Sequence, residues 1–220
     1  MAPPDPSPPK PGRCWFQYSL RTLLILTTVV AALFAWWSYK ARQQREAVAA
    51  IENAGGSVAY DFQKQQLEKP PHWPAWMVDA MGVDYFASVH RVSFLGKKAS
   101  PDSELRHLDK LPTLEELWMG GTPTSDAGLE HLQKFRMLKV LGLGGTKITD
   151  VGLKHLANVT SLQELILGST NVSDAGLEHL KGLTELQVLD LVSTHVTEEG
   201  VARLRQSLPR CTIMGIPAYP

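Results

Sequence analysis

The sequence predicts an α/β chain: a stack of strand–turn–helix units preceded by one membrane-spanning helix. Two observations predict it. Leucines recur at an interval of 24 residues through the C-terminal half, and an uncharged apolar run long enough to cross a bilayer lies near the N-terminus. A third observation narrows the functional classes. Lys+Arg and Asp+Glu both number 22, so the formal net charge is +0. Neither a global field nor a local basic stripe draws the chain to nucleic acid, and no nucleic-acid partner is expected.

The first element is residues 20–39. Only Arg21 is charged, and the stretch from Thr22 to Tyr39 is charge-free; as a helix it spans about 27 Å. Trp15, Phe16 and Tyr18 precede it and Trp36, Trp37 and Tyr39 close it, placing amphipathic rings about one bilayer apart. An uncleaved anchor competes with a cleaved signal peptide and with a buried core helix. The Trp-Trp ending, in place of a small-x-small site, favours the anchor. Lys10, Arg13 and Arg21 on one side balance Lys40, Arg42 and Arg45 on the other, so the positive-inside rule ties. A single-pass membrane protein with its repeats on the non-cytoplasmic side is the expectation. Residues 1–19, crowded with Pro3, Pro4, Pro6, Pro8, Pro9 and Pro11, read as a disordered tail, with an SH3-type ligand as the rival reading.

Residues 40–85 read as a juxtamembrane helix and an N-terminal cap. Ala47, Val48, Ala50 and Ile51 share one helical face, and Gly55-Gly56 stops the helix. Val58 to Phe62 alternates like a strand, and Trp76 to Met81 suits a short helix. A solenoid exposes an apolar end unless something covers it. Trp73 and Trp76 therefore read as cap or core residues, with a binding role as the alternative.

Residues 86–208 carry the repeats, about five of them. Leu114, Leu138, Leu162 and Leu186 are 24 apart, as are Leu117, Leu141, Leu165 and Leu189. Met119, Leu143, Leu167 and Leu191 follow, then Thr122, Thr146, Thr170 and Thr194, Gly128, Gly152, Gly176 and Gly200, and Leu132, Leu156, Leu180 and Leu204. A degenerate unit precedes them, with Val92-Ser93-Phe94 as its strand and a one-residue slip. L-x-x-L-x-L alternates as a strand with its leucines on one face. Ser125, Thr149, Ser173 and Thr197 are candidate helix N-caps, and Asp126, Asp150, Asp174 and Glu198 complement the helix dipole. Residues 209–220 form a C-terminal cap.

On these motifs the chain resembles the leucine-rich-repeat superfamily, with Thr at the usual Asn ladder position. Anchor plus T-x-[IV]-[ST]-D-x-G-L repeats also resembles short membrane-anchored repeat proteins of planctomycete-type bacteria, and Leu208 to Ile213 is similar to their terminal strand. The resemblance implies a right-handed solenoid with parallel strands on the concave side and helices on the convex side. It implies no particular partner.

A repeat turns each recurring residue into a column. His107, His131, His155 and His179 form one, but helices about 10 Å apart do not bring ring nitrogens to a common zinc ion, so a solvated or packing column is expected. Helix starts already account for the acidic column, without calcium. The glycine column reads as room for the adjacent backbone. No phosphate loop, nucleophile elbow or placed base accompanies Cys14 or Cys211. We expect no enzyme, no cofactor and no metal.

The exposed face of the strands remains. Residues flanking the second leucine of each motif point away from the core. They nominate Glu116, Trp118, Val140, Glu164, Ile166, Val188 and Asp190 as a partner-binding surface, with Trp118 its anchor, the aliphatic residues its floor and the acids selecting a partly basic protein. A self-associating structural envelope protein and an envelope carbohydrate binder are the alternatives. The oligomeric state is left open.

Overall fold

The computed structural model describes residues 20–65, 74–95 and 102–215. The Pro-rich tail and Trp73 lie outside them. The chain divides into two compact units, residues 1–39 and 40–220.

Helix α1 runs from Leu20 to Asn53. No glycine or proline interrupts this stretch. In the first unit, residues from Leu20 to Trp36 are exposed, and the helix is long and apolar enough to cross a membrane. Thr28 Oγ1 donates back to the carbonyls of Leu24 (2.9 Å) and Ile25 (2.8 Å), so its hydroxyl is satisfied without water. The helix ends where Gly55 turns left-handed at φ 79°. Gly56 N then donates to Ile51 O and Gly55 N to Glu52 O, both at 2.8 Å, which closes the carbonyls the helix leaves open.

The second unit is built on a seven-stranded sheet in chain order: β1 Ser57–Tyr60, β2 Val89–Ser93, β3 Glu116–Trp118, β4 Val140–Gly142, β5 Glu164–Ile166, β6 Val188–Asp190 and β7 Thr212–Met214. β1 pairs antiparallel with β2; the other pairs are parallel. The register follows the repeat. Leu117 faces Leu141, Leu141 faces Leu165 and Leu165 faces Leu189, while Val92 faces Leu117 across the expected slip. Each return segment is short: α3 Asp102–Leu105, α4 Asp126–Leu129, α5 Asp150–Leu156, α6 Asp174–Leu177 and α7 Glu198–Ser207. α3, α4 and α6 continue as 3-10 turns, which complete the crossover within the fixed repeat length.

The core is one apolar cluster running the length of the array. Leu105, Leu117, Leu132, Leu141, Leu156, Leu165 and Leu189 are fully buried, and each contributes about 1.5–3 kcal/mol by leaving water. At the β2 end, Ala47, Val48 and Ile51 of α1 join this cluster with Val89, Val92 and Phe94; Ala50 is only half-buried. Helix α2, Ala75–Met81, buries Val78, but Trp76 is 71% exposed. The core role read for Trp76 is corrected on that ground. At the far end Val201, Leu204, Leu208 and Cys211 close the cluster.

Two columns acquire contacts that the sequence reading did not foresee. Asp102 accepts from Ser125 N and Oγ, Asp126 from Thr149, Asp150 from Ser173 and Asp174 from Thr197, the hydroxyl bonds being 2.6–2.7 Å. Each acid therefore staples its unit to the next in a charge-assisted pair, beyond any service to its own helix dipole. The glycine column makes room for these carboxylates. A Cβ on Gly128 would stand 2.6 Å from Asp102 Oδ1, and Gly152, Gly176 and Gly200 face Asp126, Asp150 and Asp174 in the same way. What approaches is a side chain, not a backbone. Thr149, Ser173 and Thr197 also accept from their own helix starts. Ser125 does not, correcting its reading as a side-chain cap.

The threonine column fixes the turn after each strand. Thr146 Oγ1 and Thr170 Oγ1 donate 2.6 Å bonds to the carbonyls of Leu143 and Leu167. Just before them the chain is left-handed, at φ 70° for Gly145 and 59° for Ser169.

Candidate binding face

Every strand from β3 to β6 buries its central leucine and leaves its flanking residues half-buried on the opposite face, except that Gly142 is buried. Alternation in a pleated strand requires this two-sidedness. Register then assembles the flanking residues into two rows. One runs Arg91, Glu116, Val140, Glu164, Val188, Thr212; the other runs Ser93, Trp118, Gly142, Ile166, Asp190, Met214. The seven nominated residues all lie on this face. Val140 and Val188 stand in the first row, flanking Glu164. Trp118 and Ile166 stand in the second, separated by Gly142.

Trp118 packs back against its own sheet. A Cβ on Gly142 would lie 2.6 Å from its Cε3 and 3.1 Å from its Cζ3. The indole rests over the strand that follows its own, and the missing side chain at Gly142 makes that possible. Its Nε1 donates to Glu116 Oε2 at 3.3 Å, and Arg91 Nε donates to the same oxygen at 2.7 Å. Burial pushes the Glu116 carboxyl up, but the bonds from Arg91 and Trp118 outweigh it and hold the group below the usual carboxylate range. Arg91 is raised, chiefly by that same hydrogen bond. Glu116 therefore enters the face as a paired carboxylate. Asp190 Oδ1 accepts from Val192 N at 2.9 Å, which fixes the carboxylate on its strand.

Beside this trio lies a cavity of about 440 Å3, lined by β1 residues Ser57 and Ala59, β2 residues Arg91 and Ser93, and by Leu95 and Trp118. It forms because small side chains on β1 and β2 adjoin the large indole. The sequence reading missed Arg91, Ser93 and Leu95. The slip in the degenerate unit carries the signal for Arg91, since it stands 25 residues before Glu116. No sequence period announces β1, whose antiparallel pairing places Ala59 opposite Arg91 and Ser57 opposite Ser93.

The histidine column forms no shared centre. His131 is exposed, the others are half-buried, and His155 Nδ1 is bonded to Gln133 Nε2 of the neighbouring unit at 2.7 Å. Among the described residues no three His, Cys, Asp or Glu side chains converge as metal ligands. Cys211 is buried, which pushes its thiol up and away from the reactive thiolate.

Residues 136–157 and 160–181 match the sequence profile of the Leucine Rich repeat family. No curated protein matches the chain. Among solved structures, it is similar to an internalin of Listeria monocytogenes (28% identity, TM-score 0.43, over 50% of this chain and 30% of that one). It is also similar to a leucine-rich-repeat protein of Leptospira interrogans (23%, 0.37, over 50% and 27%). A third is the C-terminal domain of tropomodulin from Caenorhabditis elegans (17%, 0.46, over 55% and 83%). The chain spans less than a third of the length of the first two. The profile match falls on the units whose strands, register and turns are described above. The fold is an α/β repeat of the leucine-rich-repeat type with a parallel sheet, accompanied by one N-terminal apolar helix.

Proposed function

We propose that this chain is a membrane-anchored binding module that receives a protein partner on the exposed face of its repeat sheet. The observation that carries the reading is the pair of registered rows. They hold Val140, Ile166 and Val188 half-buried beside Glu164 and Asp190, on strands whose other face is locked in the core. Aliphatic groups interleaved with carboxylates on a rigid scaffold suit a partner that presents apolar and basic groups side by side. The uncharged run ending in Trp36-Trp37 supports retention of the apolar helix as the anchor, and a bacterial envelope is the setting in which we place it.

The test is in-membrane crosslinking of the native chain against a Trp118→Asp/Ile166→Asp double variant of equal circular dichroism. A protein captured by the native chain and lost from the variant supports the assignment. Identical capture refutes it and leaves a self-associating structural role or a carbohydrate ligand.

A further inference from the structure

The cavity beside Trp118 gives the face a polarity along the sheet. At the β1–β3 end it presents an arginine and an apolar wall; three and four strands away it presents Glu164 and Asp190. Arg91 is half-exposed and pairs with Glu116 through Nε, so its two terminal nitrogens lie outside that ion pair. A guanidinium held by one edge keeps a second edge for a carboxylate. Leu95, 55% exposed, and the Trp118 indole supply an apolar wall, while Ser57, Ala59 and Ser93 leave the space between them open. The volume, about 440 Å3, falls within the ~300–1,000 Å3 range of small-ligand sites. It lies where the sheet ends, at its edge strand β1.

Resting on the protein-binding reading above, we propose that this cavity receives the carboxyl terminus of the partner polypeptide: an apolar last residue against Trp118 and Leu95, its carboxylate on Arg91, and basic residues upstream over Glu164 and Asp190. The spacing follows from geometry. Strands about 4.8 Å apart, with about 6.6 Å along the strand between the two rows, put Glu164 roughly 14 Å and Asp190 roughly 20 Å from the Arg91 position. An extended peptide advances about 3.3 Å per residue, so the basic residues fall about four and about six positions before the end.

The probe is a fluorescein-labelled octapeptide ending in leucine, with lysines at those two positions and serine and glycine elsewhere. Its binding to the full chain in detergent micelles is read by anisotropy and compared with the same peptide amidated at its C-terminus. The expected result is at least tenfold tighter binding of the free acid, a gap that closes in Arg91→Gln, and weaker binding of both forms to Glu164→Gln/Asp190→Asn. Equal binding of acid and amide to the native chain, no binding of either, or a gap that survives Arg91→Gln overturns the proposal. The acid–amide comparison on the native chain does not depend on any variant folding. A failure here leaves the general reading standing if crosslinked capture still requires Trp118 and Ile166. If capture ignores those residues, the general reading falls whatever the peptides do.

Discussion

Asp150 and Gly176 form a pair whose coupling can be worked from the structure. Asp150 accepts from Ser173 N at 2.8 Å and from Ser173 Oγ at 2.6 Å. Bonds to a charged acceptor contribute about 1.5–3 kcal/mol each when secluded. These groups are half-buried, so water recovers part of that, and Asp150→Ala is expected to cost about 2 kcal/mol. Gly176→Ala should gain up to about 1 kcal/mol of helix propensity. Its Cβ, however, collides with Asp150 Oδ1 and stands 3.1 Å from Cγ, so the carboxylate must leave its two donors. The single variant therefore loses about 1 kcal/mol net. With Asp150 already alanine the collision disappears, leaving a contact with the flexible end of Leu153 at 3.0 Å, and Gly176→Ala becomes neutral or stabilising. The double variant should be about 2 kcal/mol more stable than the sum of the singles predicts. Urea unfolding of the full chain in micelles, followed by near-ultraviolet circular dichroism at constant m-value, measures all four corners. Additivity within about 0.5 kcal/mol would refute the staple as the reason for the glycine column.

Three further outcomes follow from single contacts. Gly142→Val should lift the Trp118 indole from its strand, destabilise by about 1–3 kcal/mol and expose the ring to an aqueous quencher; quenching unchanged from native would contradict the packing. At the left-handed turn position, Gly145→Ala should cost about 1–2 kcal/mol. The reverse change, Ser169→Gly at φ 59°, should be neutral to mildly stabilising in the same urea assay. Burial pushes the Asp174 carboxyl up, but bonds from Thr197 and Arg203 more than offset it and hold the group low. Its contribution is therefore present above the ordinary carboxylate value and lost as pH falls toward the depressed folded one. Asp174→Asn should lose less stability than native between neutral pH and pH of about 3; equal losses would contradict the assignment.

Much of this fold was legible because a period in sequence becomes a register in space. The interval between Leu141 and Leu165 fixed which residues face each other across β4 and β5, and the slip before Glu116 reappears as Arg91 opposite Glu116. Reasons that act between columns were hidden. Asp150 beside its helix start looks like a dipole partner until Ser173 of the next unit is seen to donate to it. The same holds for Gly176, whose neighbour is that acid. On the face, adding the period to Trp118 reaches Gly142, so the resting place of the indole could have been read from the sequence. The cavity could not, because β1 joins the sheet antiparallel and outside the repeat.

The central claim is that the partner meets the sheet face and not the helical side. A photo-crosslinking benzoylphenylalanine placed at Ile166, on β5, or at Val151, 64% exposed on α5, tests it most directly in intact membranes. The account predicts a discrete crosslinked protein from Ile166 and none from Val151. The same adduct from both positions, or from Val151 alone, would contradict it.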